Sequence, residues 1–161
     1  MCQFTDREGR PTLADYIPIK DVYAAGRLDY DSEGLLLLTD DGDWNHRLTS
    51  PTRQCEKVYR VQLRDPLCPE AIAQLEAGVL LRGEQRPTRP ARVALTDETD
   101  WRQLLLTIHE GKYHQVKRMF AATGNLVLGL HRERIGGIAL DPSLAPGEYR
   151  PLTASEVESI A

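Results

Sequence analysis

The chain has 161 residues, of which 41% are hydrophobic and 27% charged. This composition supports one folded domain with a buried core and excludes a disordered or low-complexity chain. Apolar runs such as Leu35–Leu38 are far too short to cross a membrane. The net charge of −4 means that any contact with nucleic acid must depend on local basic patches. Three cysteines without CxxC spacing argue against a disulfide framework or a zinc site, and favour the cytoplasm.

The first fifty residues combine turn signals with short extended segments. Residues 12–16 predict one helical turn, because Pro18 stops a longer helix. Residues 22–25 predict a short strand. Residues 33–34 are typical of a turn, and residues 35–39 predict a buried strand. Asp43 is a candidate N-cap for a short helix that follows the strand.

Two later segments alternate or run apolar in the manner of strands. "CEKVYRVQLR" (55–64) predicts a half-buried strand with Lys57, Tyr59 and Val61 on one face. "RQLLLTIHEG" (102–111) predicts a second strand.

Helical signals fall between and after these strands. Pro69 predicts the start of a helix that ends near Gly78. "KYHQVKRMFAATGN" (112–125) has helical phasing, with Tyr113, Val116, Met119 and Phe120 on the apolar side. Thr153 and Glu156 form the pattern of a capping box at a terminal helix. Strands and helices interleave without a strict βαβ repeat, so we predict an α+β domain with a mixed or antiparallel sheet and flanking helices.

The acidic stretch "GRLDYDSEGLLLLTDDG" (26–42) has several possible functions. Asp29, Asp31, Glu33 and Gly34 fit early positions of an EF-hand loop, but an EF-hand requires flanking helices, and a strand is predicted next. Two carboxylates could also divide acid and nucleophile roles, as in glycosidases. Neither pattern is specific.

A third hypothesis assigns one aspartate as a reagent. A buried aspartate beside basic groups stays ionised at neutral pH, because the opposite charge lowers its pKa. Such a carboxylate can act as a nucleophile or a base. The helical stretch with Lys117 and Arg118 is a possible source of the cation. A solvated turn without chemistry remains an equal alternative on local features alone.

The acidic stretch resembles the signature of the RsuA-type ribosomal RNA pseudouridine synthases. Further stretches agree with that family in order and spacing. They are "HRLTSP" (46–51), "EKVYRV" (56–61), "EGKYHQVKRMFAATGN" (110–125) and "LHRERIGGIAL" (130–140). The resemblance covers nearly the whole chain. It implies the pseudouridine synthase fold with the active-site cleft across the sheet, and an enzyme without cofactor or metal.

The resemblance also implies site residues. Asp29 matches the catalytic aspartate, and Tyr59 matches the tyrosine that packs on the target base. Lys117 matches the basic residue that pairs with the aspartate. Arg27 matches the arginine that helps to hold the site open when the nucleotide is extruded.

Basic and polar residues are the candidates for contacts with RNA. In an extended "LHRERI", Arg132 and Arg134 would share a face, from which both could hold phosphates. The full candidate set is Lys112, His114, Gln115, Arg118, Arg132 and Arg134, together with Arg27.

We expect one catalytic domain over residues 1–161. Many members of the family carry an N-terminal S4-type domain, which these residues do not contain, and relatives have an extended segment before the position of Gln3. We therefore expect the family's N-terminal strand to be missing.

We expect ribosomal RNA or a pre-ribosomal particle as the partner, no membrane contact and a monomer. Stretches typical of both subunit-specific enzymes occur, and the sequence favours large-subunit (23S) rRNA over the small-subunit (16S) alternative. A catalytically impaired RNA-binding fragment is the remaining alternative.

Overall fold

A computed structural model describes residues 3–4, 6–50, 52–53 and 55–160. Its strands are β1 (Tyr23–Ala25), β2 (Glu33–Gly34), β3 (Leu37–Thr39), β4 (Lys57–Leu63), β5 (Arg92–Leu95), β6 (Gln103–Ile108), β7 (Val127–Ile135) and β8 (Ile138–Ala139). Its helices are α1 (Gly42–Thr49), α2 (Pro69–Ala77), α3 (Gln115–Ala122) and α4 (Ala154–Glu158), with a 3-10 turn at Leu13–Asp15. No helix in these ranges is long and apolar enough to span a membrane.

The larger sheet has the strand order β2-β7-β4-β6-β5, and β8 pairs with β7. Strand β2 runs parallel to β7, whereas the other pairs in this sheet are antiparallel. Strands β1 and β3 form a separate two-stranded antiparallel sheet. This arrangement confirms the predicted α+β class with a mixed sheet.

The main core lies between one face of the larger sheet and helices α2 and α3. Alternation along β4 turns Val61 and Leu63 into this core, where both are fully buried. Helix α2 contributes Leu75, and α3 contributes Phe120. A second core joins β1, β3 and α1 to the far end of β7.

The helix caps follow the chemistry of their sequences. Thr153 and Glu156 form the predicted capping box at α4. Arg150 binds the Glu156 carboxylate through two hydrogen bonds of 2.8 and 2.9 Å, which lowers the pKa of Glu156 to about 2. At α1 the prediction of Asp43 as the cap was wrong. Asp41 is the N-cap, and its Oδ1 accepts from the Asp43 and Trp44 amides.

The stretch after the acidic residues differs from its prediction. Residues 33–34 are not a free turn but a short parallel strand on β7, and the strand predicted at 35–39 is shortened to β3. The reason is that the Leu35 amide donates to the Arg132 carbonyl, 2.7 Å away, before the chain crosses to pair with β1. Because strands replace the helices of an EF-hand, the calcium-loop alternative does not fit this segment.

Gly34 lies directly against the backbone of β7. A Cβ atom at this position would stand 2.3 Å from the Arg132 carbonyl oxygen, and the φ angle of +105° disfavours any L side chain. The contact that fixes β2 to β7 therefore requires glycine.

We expect Gly34→Ala to lower the free energy of unfolding by about 2 kcal/mol or more, because it adds a backbone clash to an unfavourable φ angle. Gly83→Ala is the matched control, since Gly83 has a φ of +83° but open space around its Cα. It should cost only about 1 kcal/mol. Urea unfolding of both variants measures the difference. Equal losses would contradict the clash.

Candidate active site

A cleft with a cavity volume of about 730 Å³ opens at the edge of the main core. One face of strand β4 contributes to both the core and the cleft. Its later residues Val61 and Leu63 lie in the core, and its earlier residues Lys57 and Tyr59 line the cleft. The predicted site residues that line the cleft are Arg27, Asp29, Tyr59, Lys112, His114, Gln115 and Arg132. Lys117, Arg118 and Arg134 lie outside its lining. The cleft therefore gathers seven predicted residues that are far apart in sequence.

The segment 26–35 carries Asp29, and Arg132 holds both of its ends. The Arg132 Nε donates to the Leu35 carbonyl at 2.9 Å, and its Nη2 donates to the Gly26 carbonyl at 2.6 Å. Between these ends, the Ser32 amide donates to the Asp29 carbonyl at 3.0 Å and closes the loop. One guanidinium thus sets the position of the segment that holds the proposed catalytic carboxylate.

The prediction that Arg132 and Arg134 share a face was wrong. Val58 pairs with Arg134 but Tyr59 pairs with Arg132, so Glu133 is an extra residue that forms a β-bulge in β7. The bulge breaks the alternation of faces. Arg132 is 1% exposed, whereas Arg134 is exposed and donates to the Gly136 carbonyl. With its guanidinium on two carbonyls, Arg132 is placed to support the fold of the site rather than to hold phosphate.

The His114 ring lies beside Asp29. Its Nε2 lies 3.6 Å from the Asp29 Oδ1, and its ring stacks on Tyr113 with centroids 3.8 Å apart. His114 has a left-handed backbone, with a φ of 48°, at the N-cap of α3. Helix α3 therefore begins at Gln115, two residues after Tyr113, which is 77% exposed instead of on the predicted apolar side.

Lys117 does not pair with Asp29 in the structure. Its ammonium contacts the Asp31 carboxylate, and this hydrogen bond lowers the pKa of Asp31. Helix α3 thus supplies a cation to the acidic segment, as predicted, but to the neighbouring carboxylate. Asp31 is two residues from Asp29, so this ion pair offsets negative charge beside Asp29.

Gln115 and Arg118 are committed to structural hydrogen bonds. Gln115 is 4% exposed, accepts from the Lys112 amide at 2.9 Å and donates to the Glu110 carboxylate at 2.9 Å. Arg118 donates to the carbonyls of Tyr113 and Arg82. These contacts shape the loop that enters α3, although both residues were predicted to contact RNA.

Several cleft residues were not singled out from the sequence as site residues. Lys57 shares the face of Tyr59, and Leu130 of β7 adds an apolar side chain to the lining. The alternation in "KVYRV" places Lys57 beside Tyr59, so that pattern could have identified it. Leu130 has the sequence pattern of an ordinary core residue, so nothing in the sequence marks it as part of the site.

The arrangement suits a reaction that needs one carboxylate and a flat apolar surface. Asp29 lines the cleft with a carboxylate of the kind that can act as a base or nucleophile, and Tyr59 lines it with an aromatic ring at the core edge. Arg27 is exposed at the mouth. Within the described ranges, no group of three or more His, Cys, Asp or Glu side chains is placed to hold a metal ion.

This geometry agrees with comparisons to known proteins. Residues 18–122 match the family model described as RNA pseudouridylate synthase. The chain belongs to this family, as the resemblance had implied.

Its relatives narrow the class to the RsuA type. The chain is 60% identical to a ribosomal small subunit pseudouridine synthase A of Vibrio cholerae over 149 residues, which are 92% of this chain and 63% of that protein. It is 52% identical to the protein of the same name in Escherichia coli K12, over 97% of this chain and 68% of that protein. The chain thus spans a little under two thirds of the length of the first of these relatives.

A solved structure confirms the fold. A crystal structure of a pseudouridylate synthase superposes with a TM-score of 0.89 at 52% identity, over 94% of this chain and 66% of that one.

The Arg132 contacts lead to a test of loop order. We expect Arg132→Met to speed hydrogen exchange at the Ser32 amide by at least about tenfold, because the loop loses both anchors. A tenfold change corresponds to about 1.4 kcal/mol less free energy for opening the loop. Arg132→Lys, which cannot span two carbonyls, should act in the same direction. Exchange measured by NMR resolves this amide.

Arg134→Met is the matched control, since it removes an exposed arginine from the same strand. It should leave the Ser32 amide unchanged. If Arg132→Met also left that exchange rate unchanged, Arg132 would not be the anchor of the loop.

Proposed function

We propose that this chain is the catalytic domain of a ribosomal RNA pseudouridine synthase that acts on small-subunit (16S) rRNA. The observation that carries the proposal is the placement of Asp29 and Tyr59 in one cleft, in a chain of this family. The reaction converts a uridine to its C-glycoside isomer by breaking the N1–C1′ bond and forming a C5–C1′ bond.

The target uridine has to leave its base stack, since neither C1′ nor both faces of uracil are accessible inside a helix. Flipping a base costs a few kcal/mol. Stacking on Tyr59 can return about 1–3 kcal/mol. Arg27, exposed at the mouth, is placed to fill the gap or contact phosphate, and Lys112 adds a second cation to the cleft.

Asp29 is the proposed reagent. Its carboxylate attacks C1′, adds to C6 of the base, or removes the C2′ proton to give a glycal, and the family resemblance slightly favours the glycal route. All three routes need the oxygens of Asp29 held beneath the nucleotide. The anchoring of both loop ends by Arg132 supports this, because it fixes the carboxylate before RNA binds.

The roles of the basic residues follow from their contacts. Lys117 neutralises Asp31 and so reduces the negative charge that incoming phosphates would meet next to Asp29. The Nε2 of His114 lies 3.6 Å from the Asp29 Oδ1, beside the proposed reagent. Arg134, exposed outside the cleft, is a candidate contact to a more distant phosphate.

The choice of ribosomal subunit rests on the relatives. The names of the relatives at 52–60% identity favour small-subunit rRNA, not the large-subunit rRNA that the sequence alone favoured. Ribosomal RNA as the substrate agrees with the cytoplasmic location expected from the cysteine content.

Cells that lack this protein and then express the chain provide the test. Mapping of pseudouridine across both rRNAs should show one restored site in 16S rRNA. Asp29→Asn should abolish it, with a loss of about 10³-fold or more, because the amide is neither base nor nucleophile. Asp40→Asn, an exposed aspartate of the same stretch, should restore the site fully.

Each other outcome has a definite meaning. Restoration of a 23S site would overturn the choice of subunit. Full activity of Asp29→Asn would overturn its catalytic role. If the wild-type chain bound rRNA but restored no site, the impaired RNA-binding fragment would replace this proposal.

A further inference from the structure

The inner wall of the cleft holds a lysine to which neither the family resemblance nor the comparisons assign a role. Lys57 is the first residue of β4 and lines the same cavity as Asp29 and Tyr59. Side chains two apart on a strand point to the same face, about 7 Å from each other. The Lys57 ammonium is therefore within reach of a base that stacks on Tyr59.

Lys57 has no partner among the described residues, since none of them forms a hydrogen bond or an ion pair with its Nζ. Its strand neighbours in register are Ile108 and Ile135, which are 3% and 0% exposed. Removal from water lowers the pKa of Lys57, and the nearby Arg132 guanidinium lowers it further. The nearby Glu110 carboxylate and Cys55 thiol act in the opposite direction.

A half-buried ammonium without a partner costs free energy, which an electron-rich ligand can offset. The Arg132 guanidinium adds positive charge to the wall around Lys57, and the Glu110 carboxylate, which already accepts from Gln115, offsets part of it. Asp29 supplies negative charge elsewhere in the cleft. A substrate that becomes negative at one end during the reaction would match such an arrangement.

The reaction of the proposed function, on which this inference rests, produces such charge. When the N1–C1′ bond breaks, its electron pair passes to N1 of uracil and spreads to the carbonyl oxygens O2 and O4. The detached base is an anion until C5 attacks C1′, which makes the ring neutral. The C5 proton then leaves and N1 takes up a proton, which gives the neutral C-glycoside. Addition of Asp29 to C6 would place the same negative charge on O4.

We propose that Lys57 is a catalytic residue whose ammonium donates a hydrogen bond to a carbonyl oxygen of the target uracil and stabilises the negative charge on the detached base. Asp29 cannot serve this purpose, because it is itself an anion. The hydrogen bond is charge-assisted and forms in a site that stacking has cleared of water, where it is strongest.

Lys57→Met tests this, because methionine has a similar length without charge. With saturating enzyme and a small-subunit rRNA substrate, we expect the single-turnover rate to fall about 100-fold, the loss typical of one missing donor to a developing anion. The dissociation constant for RNA should stay within about threefold. Lys20→Met is the matched control, since Lys20 is exposed and outside the cleft, and it should match the wild type.

A substrate with 5-fluorouridine at the target position gives the second arm. Fluorine withdraws electrons, so the detached base is a weaker base and depends less on Lys57. The rate on this substrate is measured as the loss of 5-fluorouridine from nuclease digests. The ratio of the wild-type rate to the Lys57→Met rate should be at least about fivefold smaller with 5-fluorouridine than with uridine. Should Lys57→Met fail to fold, Lys57→Gln carries both arms.

The outcomes separate the hypotheses. Equal ratios for the two bases, or a rate like that of the wild type, would overturn the role of Lys57. Weaker RNA binding with an unchanged rate would instead assign Lys57 to a phosphate. Absence of pseudouridine with the wild-type chain would reject the proposed function itself.

Discussion

The site depends on one buried guanidinium. Arg132 is 1% exposed, and it joins β7 to a segment about a hundred residues earlier in the chain, because it donates to the carbonyls of Gly26 and Leu35 at the two ends of that segment. No carboxylate among the described residues pairs with it, so carbonyl dipoles compensate its buried charge. An arginine suits this place, because its planar fork can reach two acceptors at once. The loop that carries Asp29 therefore has both ends fixed on the central sheet.

The consequence is a cleft with separated charges. Tyr59 pairs with Arg132 in register, so the aromatic surface and the anchor of the Asp29 loop are neighbours in the sheet. Strand β4 places Lys57 and Tyr59 on the continuation of the core face, and the Arg132 anchor places a carboxylate in the same cavity. Among the described residues, no lysine or arginine forms an ion pair with Asp29 and no carboxylate forms one with Lys57, which keeps both available to a substrate. The same sheet pairing that stabilises the fold thus also sets the geometry of the proposed chemistry.

Sequence patterns predicted the elements better than the contacts between them. The period-2 alternation of residues 55–64 and the capping box at Thr153 depend on local chemistry, and the structure has both elements. The β-bulge at Glu133 has no local signal, so the face predicted to be shared by Arg132 and Arg134 was wrong. Which carboxylate Lys117 meets depends on how a loop from residues 26–35 packs on α3, a long-range property that spacing does not encode. The resemblance to a family identified Asp29, but only the fold shows what holds it.

A crystal structure of the chain with a short RNA that carries 5-fluorouridine at the target position would test the central claim most directly. The claim is that Asp29, held by Arg132, faces a flipped nucleotide stacked on Tyr59. We predict the pyrimidine ring on the Tyr59 ring and an Asp29 oxygen within about 3.5 Å of a reacting atom, with Arg132 still bound to both carbonyls. A nucleotide bound outside this cleft, or an Asp29 loop detached from Arg132 in the complex, would contradict the account.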